Sequence, residues 1–202
     1  MIKYVVPALI LGILLGYLNS NFFNALPSTI ISDQFFTALL VVMLFVFGFM
    51  FGIDKEALQK IRKTGVRILI FPILVALGSI LGGLVAGLIL QINLAGATAI
   101  GSGIGWYTLS GPLVKGILGA EWGTLAFTAN FFRELLTITA IPLLVRLDKY
   151  APVASGGGTT MDTSLPFIVR YCGKDMLITA FSSGLVLSLI APFTIVAFAS
   201  LA

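Results

Sequence analysis

Apolar residues fill this chain in long blocks, and each block is closed by glycine, proline or charge. Five blocks have, or nearly have, the length that carries a helix across about 30 Å of hydrocarbon. They are Ile2–Leu18, Phe35–Gly52, Ile68–Gln91, Thr124–Val145 and Met176–Leu201. The first is short, and Lys3 gives it the positive start of a secretory signal. No A-x-A-like site follows in Asn19-Ser20-Asn21-Phe22-Phe23, so it reads as a span. Two further stretches, Ala95–Ala120 and Tyr150–Gly173, are broken in the middle by glycine and polar residues. Irregular backbone at membrane depth survives only where protein or trapped water satisfies its N–H and C=O groups. Both stretches therefore read as re-entrant hairpins that dip in and return on the same side.

Their tips are Gly101–Pro112 and Gly156–Pro166, each running from glycine through polar residues to proline and then an apolar rise. Paired interrupted segments in corresponding places point to a transporter binding site at mid-membrane and to an inverted repeat. Glycine pairs at small-xxx-small spacing (Gly12/Gly16, Gly48/Gly52, Gly78/Gly82, Gly83/Gly87) let helix backbones approach closely. Pro72 and Pro142 kink their spans and Pro192 interrupts the last one.

Composition agrees with lipid as the solvent. Of 202 residues, 58% are hydrophobic and 10% charged, where a soluble domain carries about a quarter charged. The net charge of +4 arises from basic residues gathered in loops, a topological pattern and not a nucleic-acid footprint. Lys55, Lys60, Arg62, Lys63 and Arg67 place the loop after the second span in the cytoplasm. With both broken stretches as hairpins, the N-terminus lies inside and the C-terminus outside, and Arg146, Lys149, Arg170 and Lys174 also fall inside. A full crossing by Ala95–Ala120 would move Arg146 and Lys149 outside, against the positive-inside rule. The fold expected is an all-α polytopic membrane protein: five transmembrane helices plus two oppositely oriented re-entrant hairpins, forming a single transport domain over residues 1–202.

Candidate chemistry is confined to a few positions. Histidine is absent and Cys172 is the one cysteine, so neither a disulfide nor a cysteine-pair metal site is built, and no metal or cofactor is expected. The span Thr124–Val145 carries Asn130, Arg133 and Glu134, and each mid-span charge costs roughly 2.5–3.5 kcal/mol even on permissive scales. Asn130, Glu134 and Thr137 share one helix stripe, while Arg133 points about 100° away, toward a neighbouring loop or helix terminus. Arg133 in an ion pair with Glu134 or Asp162 is the structural alternative. Asp162 either caps the half-helix that follows or joins Glu134 in one water-accessible cavity that binds cations. Trp106 and Tyr107 are interface aromatics or, at a hairpin tip, ring faces for an ammonium group. Ser110 and Thr160, one in each tip, join Glu134, Asp162, Arg133, Asn130, Trp106 and Tyr107 as candidates for binding substrate or proton. An intramembrane protease fits poorly, since Asp162 lacks a second mid-span aspartate and no serine–histidine pair exists; the chain does not read as an enzyme.

At these residues the chain resembles the lysine exporter LysO family. The likeness is carried by three blocks in order: Gly103–Gly111, Asn130–Glu134 and Gly158–Pro166. The resemblance covers nearly the whole chain. It implies export of L-lysine, and of analogues such as thialysine, across the cytoplasmic membrane, through an essential intramembrane acidic pair at Glu134 and Asp162. It further implies crossed, broken helices like those of cation/proton antiporters and bile-acid-type symporters. Exchange of lysine for protons is the expected mechanism; a carrier of another cation and a non-transporting membrane subunit are the alternatives. Longer members carry a further hydrophobic region before the matched part, so a small companion membrane subunit or a homo-oligomer is expected to complete the carrier. Membrane lipid is the surrounding partner.

Overall fold

The computed structural model describes residues 2–19, scattered positions from 21 to 53, and 67–202. Most of the expected span Phe35–Gly52, and the basic loop after it, lie outside the described residues. Two compact units divide the chain, Met1–Phe45 and Val46–Ala202. In the first, α1 (Ile2–Leu18) is a 17-residue helix, about 26 Å long. Leucine and isoleucine side chains of its second half, such as Leu11 and Ile13, are exposed.

The second unit holds three helices long and apolar enough to cross a membrane, the count being of described residues. They are α2 (Arg67–Leu90), α5 (Ala120–Leu147) and α8 (Met176–Ala199). Between them stand the broken stretches. The first consists of α3 (Leu94–Gly101) and α4 (Tyr107–Leu118); the second of α6 (Ala151–Gly156), a 3-10 turn (Gly157–Met161) and α7 (Leu165–Cys172). The all-helical membrane fold expected from hydropathy is what forms.

Contacts show where each hairpin enters. Asn93 caps α3 by accepting the Gly96 N–H at 2.9 Å, and donates to the Ala202 carbonyl at the far end of α8. From there α3 runs back along α2. A Cβ on Gly87 would meet that of Ala97 at 2.8 Å, and Ser79, midway along α2, donates to the Gly101 carbonyl at 2.7 Å. The helix α4 then returns beside the first half of α5, and the Trp122 ring lies over Gly96. Departure and return share one end of the long helices. The second hairpin opens at the other end, where Phe71 and Tyr150 rings stand 5.8 Å apart and Ile141, Val153, Ile168, Met176 and Ala180 form a buried core.

Two local expectations need correction. Pro192 does not interrupt α8, which continues from Met176 to Ala199. A proline inside a membrane helix is tolerated when neighbouring groups satisfy the carbonyl it frees. Pro112 is not part of the first tip: the helix resumes at Tyr107, leaving only Ser102–Trp106 irregular.

The glycine pairs also separate. Gly83 and Gly87 are contact glycines, and a Cβ on Gly83 would stand 2.7 Å from the Ala97 carbonyl oxygen. Among the described residues, Gly78 and Gly82 have no atom within 4 Å of a built Cβ. Thermal unfolding should therefore show Gly83→Ala destabilised by about 1–3 kcal/mol through overpacking on backbone. Gly78→Ala should be neutral or more stable by up to about 1 kcal/mol, since alanine is the better helix former.

At the base of the second hairpin Lys149 donates to Asp175 at 3.0 Å. This bond holds the Asp175 carboxyl below its ordinary range and the Lys149 ammonium above its own. Its contribution therefore fades as acid protonates Asp175 or as base neutralises Lys149. Both side chains are exposed, and exposed pairs contribute little. Lys149→Ala should leave the unfolding temperature unchanged between about pH 5 and 9, a result differential scanning fluorimetry can check.

Candidate functional site

The site lies where the two hairpin tips meet, beside the middle of α5. Gly158 donates its N–H to the Ile104 carbonyl at 2.9 Å, which joins one tip to the other. Ile104 adopts φ +49 in the left-handed region, uncommon for a β-branched residue, with its side chain buried beside Ala76 and Leu187. Gly105 follows at φ +90. Asn130 holds this turn. Its Oδ1 accepts the Gly105 N–H at 2.7 Å, and its Nδ2 donates to the Ile100 and Ala126 carbonyls at 3.0 and 2.9 Å. Ser110 lies 3.4 Å from the Ala126 carbonyl, and the Thr160 hydroxyl is 2.8 Å from both the Gly157 and the Ala180 carbonyl. Asn130 and Thr160 thus satisfy irregular backbone of the tips that lipid cannot, while Ser110 lies against a carbonyl of α5.

Four half-helix ends converge here, and they divide by sign. The C-termini of α3 and α6 present unpaired carbonyls and partial negative charge; the N-termini of α4 and α7 present N–H groups and partial positive charge. Arg133 serves the first pair. Its Nε donates to the Ser155 carbonyl at 2.8 Å, one Nη to the Ala154 carbonyl at 3.2 Å and the other Nη to the Ser79 hydroxyl at 2.6 Å. Thr137 lies alongside, 2.7 Å from the Ser155 hydroxyl.

Glu134 serves the second pair. It is 3% exposed, and its Oε1 has no hydrogen-bond partner among the described residues. The groups that act on its carboxylate include the Tyr107 hydroxyl in the first turn of α4, the Thr163 hydroxyl just before α7, and the Asp162 charge. Asp162 ends the 3-10 turn and is exposed. It accepts from the Thr163 N–H and, at 3.3 Å, from the Thr163 hydroxyl, while Ser164 stands at the N-cap position of α7. Tyr107 is buried edge-on to Phe127 and Phe131, each 5.4 Å away between centroids, and Trp106 is half-buried at the N-cap of α4.

Electrostatics thus links Glu134 with Tyr107, Thr163 and Asp162. The geometry sets Arg133 on a different face of α5, among carbonyls and a hydroxyl. Asn130, Ser110 and Thr160 are occupied with backbone. A cavity of about 650 Å³, lined by residues that include Phe71, Gly78, Ser79, Arg133 and Ser155, lies on the arginine side. Ser79 is the residue that sequence reasoning missed, although a signal existed: within Ile68–Leu90 it is the one polar side chain. Among the described residues no cluster of three His, Cys, Asp or Glu stands ready for a metal ion.

Comparison with known proteins enters at this point. The family model described as "Lysine exporter LysO" matches residues 6–199. The protein named "Lysine exporter LysO" of Escherichia coli (strain K12) is 35% identical over 161 residues, which cover 80% of this chain and 54% of that protein. The chain thus spans about half the length of that relative. A Haemophilus influenzae protein (strain ATCC 51907 / DSM 11121 / KW20 / Rd) named "Putative lysine exporter" is 28% identical over 195 residues, covering 96% of this chain and 95% of its own. No solved structure matches the chain.

Proposed function

The chain belongs to the lysine exporter LysO family, and from that premise we propose that it carries L-lysine, and analogues such as thialysine, out across the cytoplasmic membrane in exchange for protons. The observation that carries this reading is Glu134: a buried carboxylate at the centre of a membrane-length helix, one oxygen unpartnered, with Asp162 acting on it. A buried charge of that kind is rare in a span unless it meets an ion or substrate.

Lysine at neutral pH has two ammonium groups and one carboxylate. Glu134 and Asp162 receive the ammoniums, with the Tyr107 and Thr163 hydroxyls at hand for the remaining hydrogen bonds. The substrate carboxylate meets the N–H groups at the start of α4 or α7, where the helix dipole favours an anion. Protons take the place of lysine on the acids during the return step. Moving one positive charge outward against 100 mV costs about 2.3 kcal/mol, and one inward proton per lysine cancels that electrical cost. The basic residues around the mouth of the second hairpin, Arg146, Lys149, Arg170 and Lys174, favour that end as the cytoplasmic one. The N-terminus then lies inside and the C-terminus outside. A helix of a companion chain or of a second copy completes the carrier in this proposal.

Vesicles loaded with labelled lysine test the reading. An imposed inward proton gradient is expected to speed lysine release. Release that ignores the proton gradient but follows an inward sodium gradient would exclude proton exchange. Wild-type vesicles that release no lysine under either gradient would refute export by this chain.

A further inference from the structure

We propose that Arg133 and Ser79 form a clamp that holds the two hairpin tips together through the C-terminal ends of α3 and α6, and that neither side chain touches the substrate. A continuous chain of hydrogen bonds supports it. Arg133 donates to the Ser155 and Ala154 carbonyls, at 2.8 and 3.2 Å, in the last turn of α6. It donates to the Ser79 hydroxyl at 2.6 Å, and that hydroxyl donates to Gly101, the last residue of α3, at 2.7 Å. One guanidinium thus serves both half-helix termini, the second through a serine.

The chemistry suits the residue types. Each helix C-terminus leaves carbonyls without an intrahelical partner and carries a partial negative charge. Arginine presents five N–H donors in a rigid fork, so it can reach two carbonyls and a hydroxyl at once; an ammonium is a point charge on a flexible stem. A hydroxyl is required as the relay because its oxygen accepts from the guanidinium while its own proton goes to the carbonyl.

Packing shows how closely the tips are drawn in. A Cβ on Gly101 would stand 2.6 Å from the Ser79 carbonyl oxygen, and one on Gly157 would stand 3.1 Å from an Arg133 Nη. The inter-tip bond from Gly158 to Ile104 lies beside the clamp. All three acceptors that Arg133 uses are neutral oxygens of the protein. Three of its five N–H groups are committed to bonds that hold the tips. Glu134, one residue on, points another way along α5. Arg133 and Ser79 are therefore positioning residues: they fix the hairpins against which the acids are presented.

Two measurements test this, and only the second rests on the transport reading. Hydrogen exchange on the purified protein in nanodiscs reads the tip directly. The segment containing Gly158 should exchange roughly tenfold faster in Ser79→Ala and in Arg133→Gln, as loss of a charge-assisted bond implies. Ser79→Thr, which keeps the hydroxyl, should restore protection. Unchanged exchange in Ser79→Ala would overturn the clamp, and that variant alone suffices should Arg133→Gln fail to fold.

In vesicles, lysine is compared with 1,5-diaminopentane, which is lysine without its carboxylate. The clamp predicts that Arg133→Gln lowers transport of both by the same factor, and that adding Ser79→Ala lowers it no further. Loss confined to lysine, with the diamine unaffected, would show the guanidinium reading the substrate carboxylate and would end the proposal. Multiplicative losses in the double variant would end it as well. If wild-type protein moved neither compound, the export reading would fail, and the exchange measurement would still decide the clamp.

Discussion

Glu134→Gln is expected to slow lysine efflux from loaded vesicles by about a hundredfold, with little change in thermal stability. Removing one partner of a buried charge pair costs roughly 2–5 kcal/mol, and each 1.4 kcal/mol is a factor of ten. Glutamine matches glutamate in shape, so packing at this 3% exposed position is kept while the negative charge is lost. The unpartnered Oε1 means that no internal hydrogen bond to that oxygen is forfeited in the resting protein. Asp162→Asn should cost less, about tenfold, because the Asp162 side chain is less enclosed by protein than that of Glu134. Wild-type efflux in both variants would remove the acidic pair from the mechanism.

Gly157→Ala is expected to give the largest loss of stability, by about 3 kcal/mol or more. Gly157 adopts φ +62 and ψ −127, a conformation essentially reserved for glycine and costing roughly 1–3 kcal/mol with a side chain. An added Cβ would also overlap the Ile104 carbonyl oxygen and approach its Cγ2 to 3.0 Å. That oxygen is backbone and accepts the Gly158 N–H, so it cannot turn aside without parting the two tips. Chemical denaturation in detergent, with the wild-type chain as reference, measures the difference. A melting curve superimposable on wild type would mean that the tips are not in contact as described.

Much of the architecture was legible in the chain because lipid is an unforgiving solvent. A backbone that leaves helical form at mid-membrane must be enclosed, so glycine, threonine and proline inside Tyr150–Gly173 dictate a hairpin. The α3–α4 break was legible for the same reason, though its extent was not. Pro112 looked like punctuation and turned out to lie within α4, since one missing N–H is cheaply accommodated in a packed helix.

The roles of the polar residues were far less legible. Asn130, Ser110 and Thr160 share the composition of a substrate site, yet each lies against backbone carbonyls of the tips or of the helices beside them. Residue type reveals a donor; only neighbours reveal its acceptor. Ser79 shows the converse. A lone serine in an apolar helix can satisfy itself on its own backbone, and nothing local indicates that this one bridges Arg133 to Gly101.

Sequence by itself determined that this is a helical membrane chain with two dipping segments, that its charges sit midway along α5, and which family it belongs to. These follow from hydropathy period, glycine and proline placement and motif order, all of which are properties of neighbours along the chain. Tertiary structure alone decided that the two tips touch. It also decided that Arg133 binds the C-terminal end of one half-helix while Glu134 beside it lies toward Tyr107 and Thr163, and that a serine 54 residues away completes the arginine's partners. Those outcomes depend on which helix termini are brought together, and the electrostatics of a terminus act across space, not along the chain.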